Sequence, residues 1–196
     1  TAEAYQAKKY AFVSDYARFW ILYQYGGIYF DTDVEVIRPI DDIVERGNFM
    51  GFETDPKPQL KEDASVNPGL GMGVAPGLGI IKKMLDYYEN KHFICEANMR
   101  NQITVVHICT KVLMENGLQN VEGIQKVDDD IYIYPAEYFC PINVTTGRTH
   151  VEKNTRTIHH YAGTWVDKKF SLKELVKRIL PEAWVQSLIN WKNRNK

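Results

Sequence analysis

The chain has 196 residues, of which 44% are hydrophobic and 25% are charged, a composition typical of a folded globular domain and not of a disordered chain. Its 24 Lys and Arg residues nearly balance 25 Asp and Glu residues, and the net charge of −1 argues against a general nucleic-acid-binding protein, which needs a basic surplus. The three cysteines form no CxxC pair, so the sequence predicts neither a disulfide framework nor a zinc site and favours a reducing compartment.

The first forty residues combine a helix pattern with a strand pattern. Residues 2–25 contain no Pro or Gly and repeat apolar side chains at helical spacing, which predicts one helix that ends at Gly26 and Gly27. Next, β-branched and aromatic residues between 28 and 37 predict a buried strand. The acidic triplet Asp31-Thr32-Asp33 interrupts this strand.

The rest of the chain alternates short helix and strand patterns. A polar loop over 54–66 precedes a Gly-rich strand, or strand and turn, over 67–74. The later predicted elements are helices over 79–90 and 103–116, strands over 131–134 and 157–161, and two C-terminal helices, the first of which begins with a capping box at Ser171 and Glu174. This alternation predicts an α/β fold.

The acidic triplet is the first candidate for chemistry. Because strand side chains alternate between faces, Asp31 and Asp33 are predicted to project from the same side. Two carboxylates held that close repel each other unless a cation joins them, and oxygen ligands suit Mn²⁺ or Mg²⁺. A pair of solvated acids at a strand end is the alternative, and two aspartates alone do not decide between the two.

Two other known types of acidic motif fit the sequence less well. A calcium EF-hand loop beginning at Asp31 needs Gly at its sixth position, where this chain has Val36. A phosphotransferase of the haloacid-dehalogenase type has an apolar strand followed by D-x-D-x-[TV], and the fifth position here is Glu35. That class also carries a later acidic pair after a strand, whereas residues 128–130 precede one. It remains the less favoured enzyme alternative.

Longer motifs around the triplet make the pattern specific. The segments 14–18 (SDYAR) and 25–36 (YGGIYFDTDVEV) resemble the DXD glycosyltransferases of family 32, which include capsular-polysaccharide and lipopolysaccharide sugar transferases and yeast-type initiating α-mannosyltransferases. The same catalytic core is found in clostridial glucosylating toxins. The resemblance continues through residues 67–71, 134–141 and 159–165. It implies a GT-A fold, which is a Rossmann-like α/β sheet that binds a nucleotide-sugar and a divalent cation, and retaining sugar transfer.

The resemblance also implies which residues bind the donor. Asp15 and Arg18 are three apart and share a helix face, for which an exposed ion pair is the alternative explanation. By resemblance, Asp15 accepts from sugar hydroxyls, Arg18 donates to the sugar or diphosphate, and Asp31 also contacts the ribose. These three and Asp33 are the expected catalytic residues. The donor-binding residues implied by the resemblance are Asp15, Arg18, Asp31, Asn67, Gly69, Gly163, Thr164 and Trp165.

A metal site follows from the same resemblance. Mn²⁺ or Mg²⁺ is expected to be held by Asp31, Asp33 and one histidine, and to act as a Lewis acid on the departing diphosphate. His159 and His160 are adjacent in a predicted strand, so only one of them can face the site. His160 begins an H-x-x-G pattern that binds Mn²⁺ in related GT-A enzymes. His160 is therefore the expected ligand and His159 an expected core histidine, while Glu53 and Asp63 have no assigned role.

The resemblance also predicts the domain organisation. Residues 1–166 are expected to form the GT-A catalytic domain and residues 167–196 a basic helical appendage. Members of the family carry an earlier strand that holds the nucleotide base, so one or more N-terminal strands are expected to be missing from this chain. A non-catalytic sugar- or nucleotide-binding remnant is therefore the second hypothesis. A UDP-sugar is the first expected donor and GDP-mannose the second, with a saccharide or lipid-linked acceptor in surface polysaccharide synthesis.

The predicted appendage differs in charge from the rest of the chain. Residues 167–196 contain eight Lys or Arg residues and three acids, a surplus of five positive charges. Trp184, Leu188 and Trp191 share one helix face, which predicts either packing on the catalytic domain or, if the tryptophans are exposed, peripheral contact with an anionic membrane. We expect a cytoplasmic protein that can lie at the inner face of the membrane.

Overall fold

The computed structural model describes residues 2–58, 64–89, 104–128, 130–143 and 147–162, together with Trp184. The helices within these ranges are α1 (Ala2–Gln6), α2 (Tyr10–Tyr25), α3 (Asp41–Arg46), α4 (Gly79–Glu89), α5 (Val105–Glu115) and α6 (Ala136–Phe139). The strands are β1 (Gly27–Tyr29), β2 (Val34–Val36), β3 (Asn48–Thr54), β4 (Ser65–Val66), β5 (Met72–Val74), β6 (Gln125–Val127), β7 (Ile131–Tyr134), β8 (Ile142–Asn143), β9 (Arg148–Thr149) and β10 (Thr157–His159). No helix in the described ranges combines the length and the apolar character needed to cross a bilayer.

A mixed six-stranded sheet organises the molecule. Its strand order is β1-β5-β3-β7-β6, with β4 added to β3. The β3 and β7 strands run parallel, with Asn48 opposite Ile131, and the other pairs are antiparallel. This arrangement confirms the predicted α/β class, and a central mixed sheet is compatible with a GT-A-like fold. The pair β2 and β10 forms a separate small sheet.

The central strand β3 separates two hydrophobic cores because its side chains alternate between faces. Met50 and Phe52 are fully buried in the core that includes residues of α2, α4 and α5. On the other face, the rings of Phe49 and Phe139 stack with centroids 5.7 Å apart. Gly51 leaves room for this second layer, since a Cβ there would lie 2.6 Å from the Phe139 ring. Helices therefore cover both faces of the sheet.

Two predictions for the first forty residues are corrected by the structure. The single helix expected over residues 2–25 is divided into α1 and α2, because Lys8 adopts a left-handed conformation with φ 56°. The buried strand expected over 28–37 is wrong. Its halves belong to different sheets, and Ile28 and Val36 are 45% and 52% exposed. The acidic triplet is the turn by which the chain leaves one sheet and enters the other.

The remaining helix and strand predictions can be compared with the described residues. The helices expected at 79–90 and 103–116 are found as α4 and α5, and the strands expected at 131–134 and 157–161 as β7 and β10. Strand β3 and helix α3 were not predicted. The C-terminal helices, and with them Leu188 and Trp191, lie outside the described residues. Within that segment only Trp184 is described, and it is 65% exposed.

The end of α2 yields a test of the fold. Gly26 has φ 67° and ψ −167°, a conformation that is almost restricted to glycine, and a Cβ there would lie 2.7 Å from Cδ of Pro76. We expect Gly26→Ala to lower the free energy of unfolding by about 1–3 kcal/mol, as measured by urea denaturation. Gly79→Ala is the matched control, because its Cβ meets nothing within 4 Å. Equal stability of the two variants would contradict the account of this helix end.

Candidate functional site

Four separate segments bring polar side chains together beside the edge of the sheet. Helix α2 supplies Asp15 and Arg18, and the turn between β1 and β2 supplies Asp31 and Asp33. This turn closes with a hydrogen bond of 3.0 Å from the Val34 N–H to the Asp31 carbonyl. The antiparallel pairing of β2 with β10 sets Val34 opposite His159, so that the end of β10 lies beside the turn. The fourth segment is the Gly-rich turn at 67–70.

The two aspartates and a histidine form a compact cluster. Asp31, Asp33 and His159 each offer a ligand atom, and these atoms lie within 4.8 Å of one another. His159 Nε2 is 3.3 Å from Asp33 Oδ1 and 3.6 Å from Asp31 Oδ2. The Asp side chains are 29% and 23% exposed, whereas that of His159 is 8% exposed. The cluster is therefore open to solvent on the carboxylate side and closed behind the imidazole.

The histidine in the cluster is not the one expected from the sequence. The imidazole of His160 is half exposed and lies 3.0 Å from Glu35 instead, and the contact of His160 with Asp33 is made by its backbone N–H. As expected, only one of the two imidazoles faces the triplet. The expectation that His160 faces the aspartates followed a short sequence pattern. The orientation of the two imidazoles depends instead on how β10 pairs with β2.

Arg18 connects the helix to the cluster. Its Nη1 donates to Asp31 Oδ1 at 3.0 Å and its Nη2 donates to Asp15 Oδ1 at 2.8 Å. Nε and Nη2 also donate to Ser14, so the described contacts use four of the five N–H groups of the guanidinium. The guanidinium lies 4.7 Å from the ring centroid of Tyr29. With only 6% of the Arg18 side chain exposed, this arrangement is a buried network and not a surface ion pair.

Burial and neighbouring charges set the protonation of the two acids that Arg18 binds. Burial raises the pKa of Asp15 from 3.8 to about 6, against the opposing charge of Arg18 and with a further contribution from Asp31. Burial alone would also raise the pKa of Asp31. Hydrogen bonds from His159 and Tyr29 and the charge of Arg18 outweigh this effect, so the pKa of Asp31 is lowered. Asp31 is thus held as a carboxylate.

The glycine-rich turn fits closely around Asp31. The Asp31 N–H donates to the Gly69 carbonyl at 2.9 Å, and a Cβ on Gly69 would lie 2.1 Å from Asp31 Oδ2. Asn67 holds the turn from inside, because its Oδ1 accepts from the Gly69 N–H at 2.8 Å and its Nδ2 donates to Glu53 at 2.9 Å. Asn67 and Gly69 therefore lie beside the cluster, with the Asn67 amide bonded within the protein.

The cluster has the charge and spacing that a divalent cation requires. Arg18 pairs with Asp15 and Asp31, and Asp33 adds a third carboxylate, so three acids stand against one guanidinium in this region. Neighbouring ligands of an octahedral ion with bonds of about 2.1 Å lie about 3.0 Å apart, close to the distances from His159 to the aspartates. Carboxylate oxygens with one imidazole nitrogen are a donor set that Mn²⁺ accepts. The residues thus fit a metal ion of this class.

The Nε2 nitrogen of His159 carries a proton at the position where a metal ion would bind. The N–H of Tyr161 donates to His159 Nδ1 at 3.3 Å, so in the neutral ring the proton resides on Nε2 and points toward the carboxylates. Coordination through Nε2 requires an unprotonated nitrogen there. A cation at Nε2 would take the place of this proton, and a neutral ring would then carry its proton on Nδ1, which requires the hydrogen bond from the Tyr161 N–H to break.

Several residues near the cluster had no predicted role. Tyr29 donates to Asp31 Oδ1 at 2.8 Å, and its position two residues before Asp31 was the available sequence signal. Glu53 and Tyr161 are bonded to each other at 2.9 Å, and no sequence pattern links them. Gly163, Thr164 and Trp165, expected to contact the donor, lie outside the described residues.

A groove of about 420 Å³ between α2 and β1 extends to Arg18 and Tyr29.

Comparison with known proteins supports the same region. Residues 1–50 match the family model described as a glycosyltransferase sugar-binding region containing a DXD motif. The matched segment includes Asp15, Arg18 and both aspartates of the triplet, and it supports a DXD glycosyltransferase without specifying family 32. No curated protein and no solved structure matches the chain significantly.

The raised pKa of Asp15 predicts a pH dependence of stability. The folded protein binds this proton more tightly than the unfolded chain, so the contribution is complete below about pH 3.8 and is lost as the pH rises through about 6. The shift corresponds to about 3 kcal/mol. The side chain of Asp15→Asn cannot ionise. We therefore expect the free energy of unfolding of this variant, relative to that of the wild type, to rise by up to this amount between about pH 4 and about pH 7, as measured by urea unfolding. Parallel pH profiles of the two proteins would contradict a raised pKa.

Proposed function

We propose that the chain is the donor-binding part of a metal-dependent retaining glycosyltransferase that takes a sugar from a nucleotide-sugar. The observation that carries the proposal is the convergence of Asp31, Asp33 and His159, with Arg18 bonded to the first of them. The family match over residues 1–50 supports the same reading. A UDP-sugar is the first candidate donor and GDP-mannose the second.

In this proposal each residue has a defined task in binding the donor. Asp31, Asp33 and His159 would hold Mn²⁺ or Mg²⁺, which when bound supplies positive charge to the leaving diphosphate. Arg18 fixes the Asp31 carboxylate through a direct hydrogen bond and adds a positive charge beside the site. Asp15 keeps the guanidinium oriented from behind. Tyr29 and Arg18 both donate to Oδ1 of Asp31, and Oδ2 is the oxygen that faces His159 in the cluster.

The acceptor and the cellular setting belong to the same proposal. The acceptor would be a saccharide or a lipid-linked sugar of a surface polysaccharide, handled at the inner face of the membrane. The exposure of Trp184 is consistent with contact through the C-terminal segment. The two units at residues 1–166 and 167–196 remain our proposed division of the chain.

A conservative substitution in the cluster tests the proposal. Asp33→Asn keeps the size of the side chain and removes one of the charges that a cation requires. We expect this variant to lose Mn²⁺-dependent hydrolysis of UDP-glucose and GDP-mannose, measured as nucleotide diphosphate released, by at least about 100-fold. The wild type should release nucleotide diphosphate from one of the two donors, and chelation by EDTA should abolish the reaction.

Asp41→Asn is the control for the loss of one carboxylate. Asp41 is exposed in the first turn of α3 and has no part in the cluster, so this variant should hydrolyse the donor at the wild-type rate. Full activity in Asp33→Asn would remove the proposed metal-dependent reaction. Binding of nucleotide-sugar without turnover by the wild type would instead identify a non-catalytic binding module.

A further inference from the structure

Glu53 is an acid near the candidate site for which neither the sequence nor the proposed function supplies a role. It lies near the end of β3, the central strand, and is half-buried. Its Oε1 accepts two hydrogen bonds, each of 2.9 Å, from Asn67 Nδ2 and from the Tyr161 hydroxyl. These two donors belong to segments that reach the cluster from different sides.

The first hydrogen bond fixes the turn that encloses Asp31. Asn67 donates to Glu53 and accepts from the Gly69 N–H, which leaves its amide in one orientation. The carbonyl of Gly69 in turn accepts from the Asp31 N–H. A chain of hydrogen bonds therefore runs from Glu53 to the backbone of Asp31.

The second hydrogen bond fixes the residue that orients His159. The rings of Tyr161 and His159 meet edge to face with centroids 4.1 Å apart, and the Tyr161 N–H donates to His159 Nδ1. Tyr161 has φ 48°, a backbone conformation that a bulky side chain adopts only when its surroundings impose it. Cys140 also contacts the Tyr161 hydroxyl, at 3.0 Å, and because burial raises the pKa of this thiol it is an S–H group that can donate.

We propose that Glu53 is a positioning residue whose single carboxylate oxygen joins the Asn67 turn to Tyr161 and so holds Asp31 and His159 in the spacing of the metal cluster. The inference rests on the proposed function for its consequence in metal binding. Its structural core, the dependence of His159 on Glu53, stands independently of any metal. Outer partners of this kind change metal affinity by about 10-fold to 100-fold when they are lost.

Two variants at position 53 separate the hydrogen bonds from the bulk of the side chain. Glu53→Ala removes the acceptor, whereas Glu53→Gln retains an Oε1 that can accept from both donors. Tyr161→Phe removes one of the two bonds and carries the test if Glu53→Ala does not fold. Glu115→Ala is the matched control, since that carboxylate is 62% exposed and pairs only weakly with Lys111 at 3.9 Å.

The experiment has two readouts. Electron paramagnetic resonance of free Mn²⁺ measures its affinity for each variant, and thermal unfolding establishes that each variant is folded. In the metal-free protein, the imidazole resonances of His159, assigned by their loss in His159→Ala, report the position of the Tyr161 ring, because a ring at 4.1 Å shifts them strongly. A structural role elsewhere in the fold would not move these resonances.

The predicted result is a loss of Mn²⁺ affinity of about 10-fold or more in Glu53→Ala with displaced His159 resonances, and near-wild-type values for both in Glu53→Gln and Glu115→Ala. Unchanged His159 resonances in folded Glu53→Ala and Tyr161→Phe would overturn the proposal. If the wild type binds no Mn²⁺ while the His159 resonances still depend on Glu53, the proposed metal-dependent function fails and the positioning role stands.

Discussion

The repulsion between Asp31 and Asp33 is the interaction on which the rest of the site depends. Their carboxylates face the same imidazole within 3.6 Å, and they keep this spacing only because positive groups and hydrogen-bond donors surround them. Arg18 and Tyr29 compensate Asp31 from one side, and the Ala162 N–H donates to Asp33 at 2.7 Å from the other. The space between the two carboxylates is left for the His159 proton or for a cation.

The surrounding fold supplies these compensating groups from distant parts of the chain. The main sheet ends at β1, and the turn that follows delivers the chain into the small sheet formed by β2 and β10. This pairing brings His159 to the triplet, and the absence of a side chain on Gly69 lets Asp31 approach the neighbouring turn. The cluster is therefore built from several elements, with its histidine buried and its two carboxylates partly exposed.

The sequence predicted the local parts of this site well and the long-range parts poorly. The family resemblance singled out Asp15, Arg18, Asp31 and Asp33, and helix spacing correctly put the first two on one face. The strand expected to carry Asp31 and Asp33 is a turn between two sheets. His159 was missed since its orientation depends on strand pairing. The central strand β3 was not predicted because its sequence, NFMGFET, is buried on both faces and so lacks the alternation of apolar and polar residues that marks a half-exposed strand. Glu53 accepts hydrogen bonds from Asn67 and Tyr161, which are 14 and 108 residues away in the sequence, so no local sequence pattern could predict these contacts.

The central claim is that Asp31, Asp33 and His159 together hold a divalent cation. Anomalous diffraction at the manganese edge, from crystals grown with Mn²⁺ and a nucleoside diphosphate, tests it most directly. The account predicts one manganese peak about 2.0–2.3 Å from an oxygen of each aspartate and from His159 Nε2, with the diphosphate on its open side. A peak between His160 and Glu35, or none at the triplet, would contradict it.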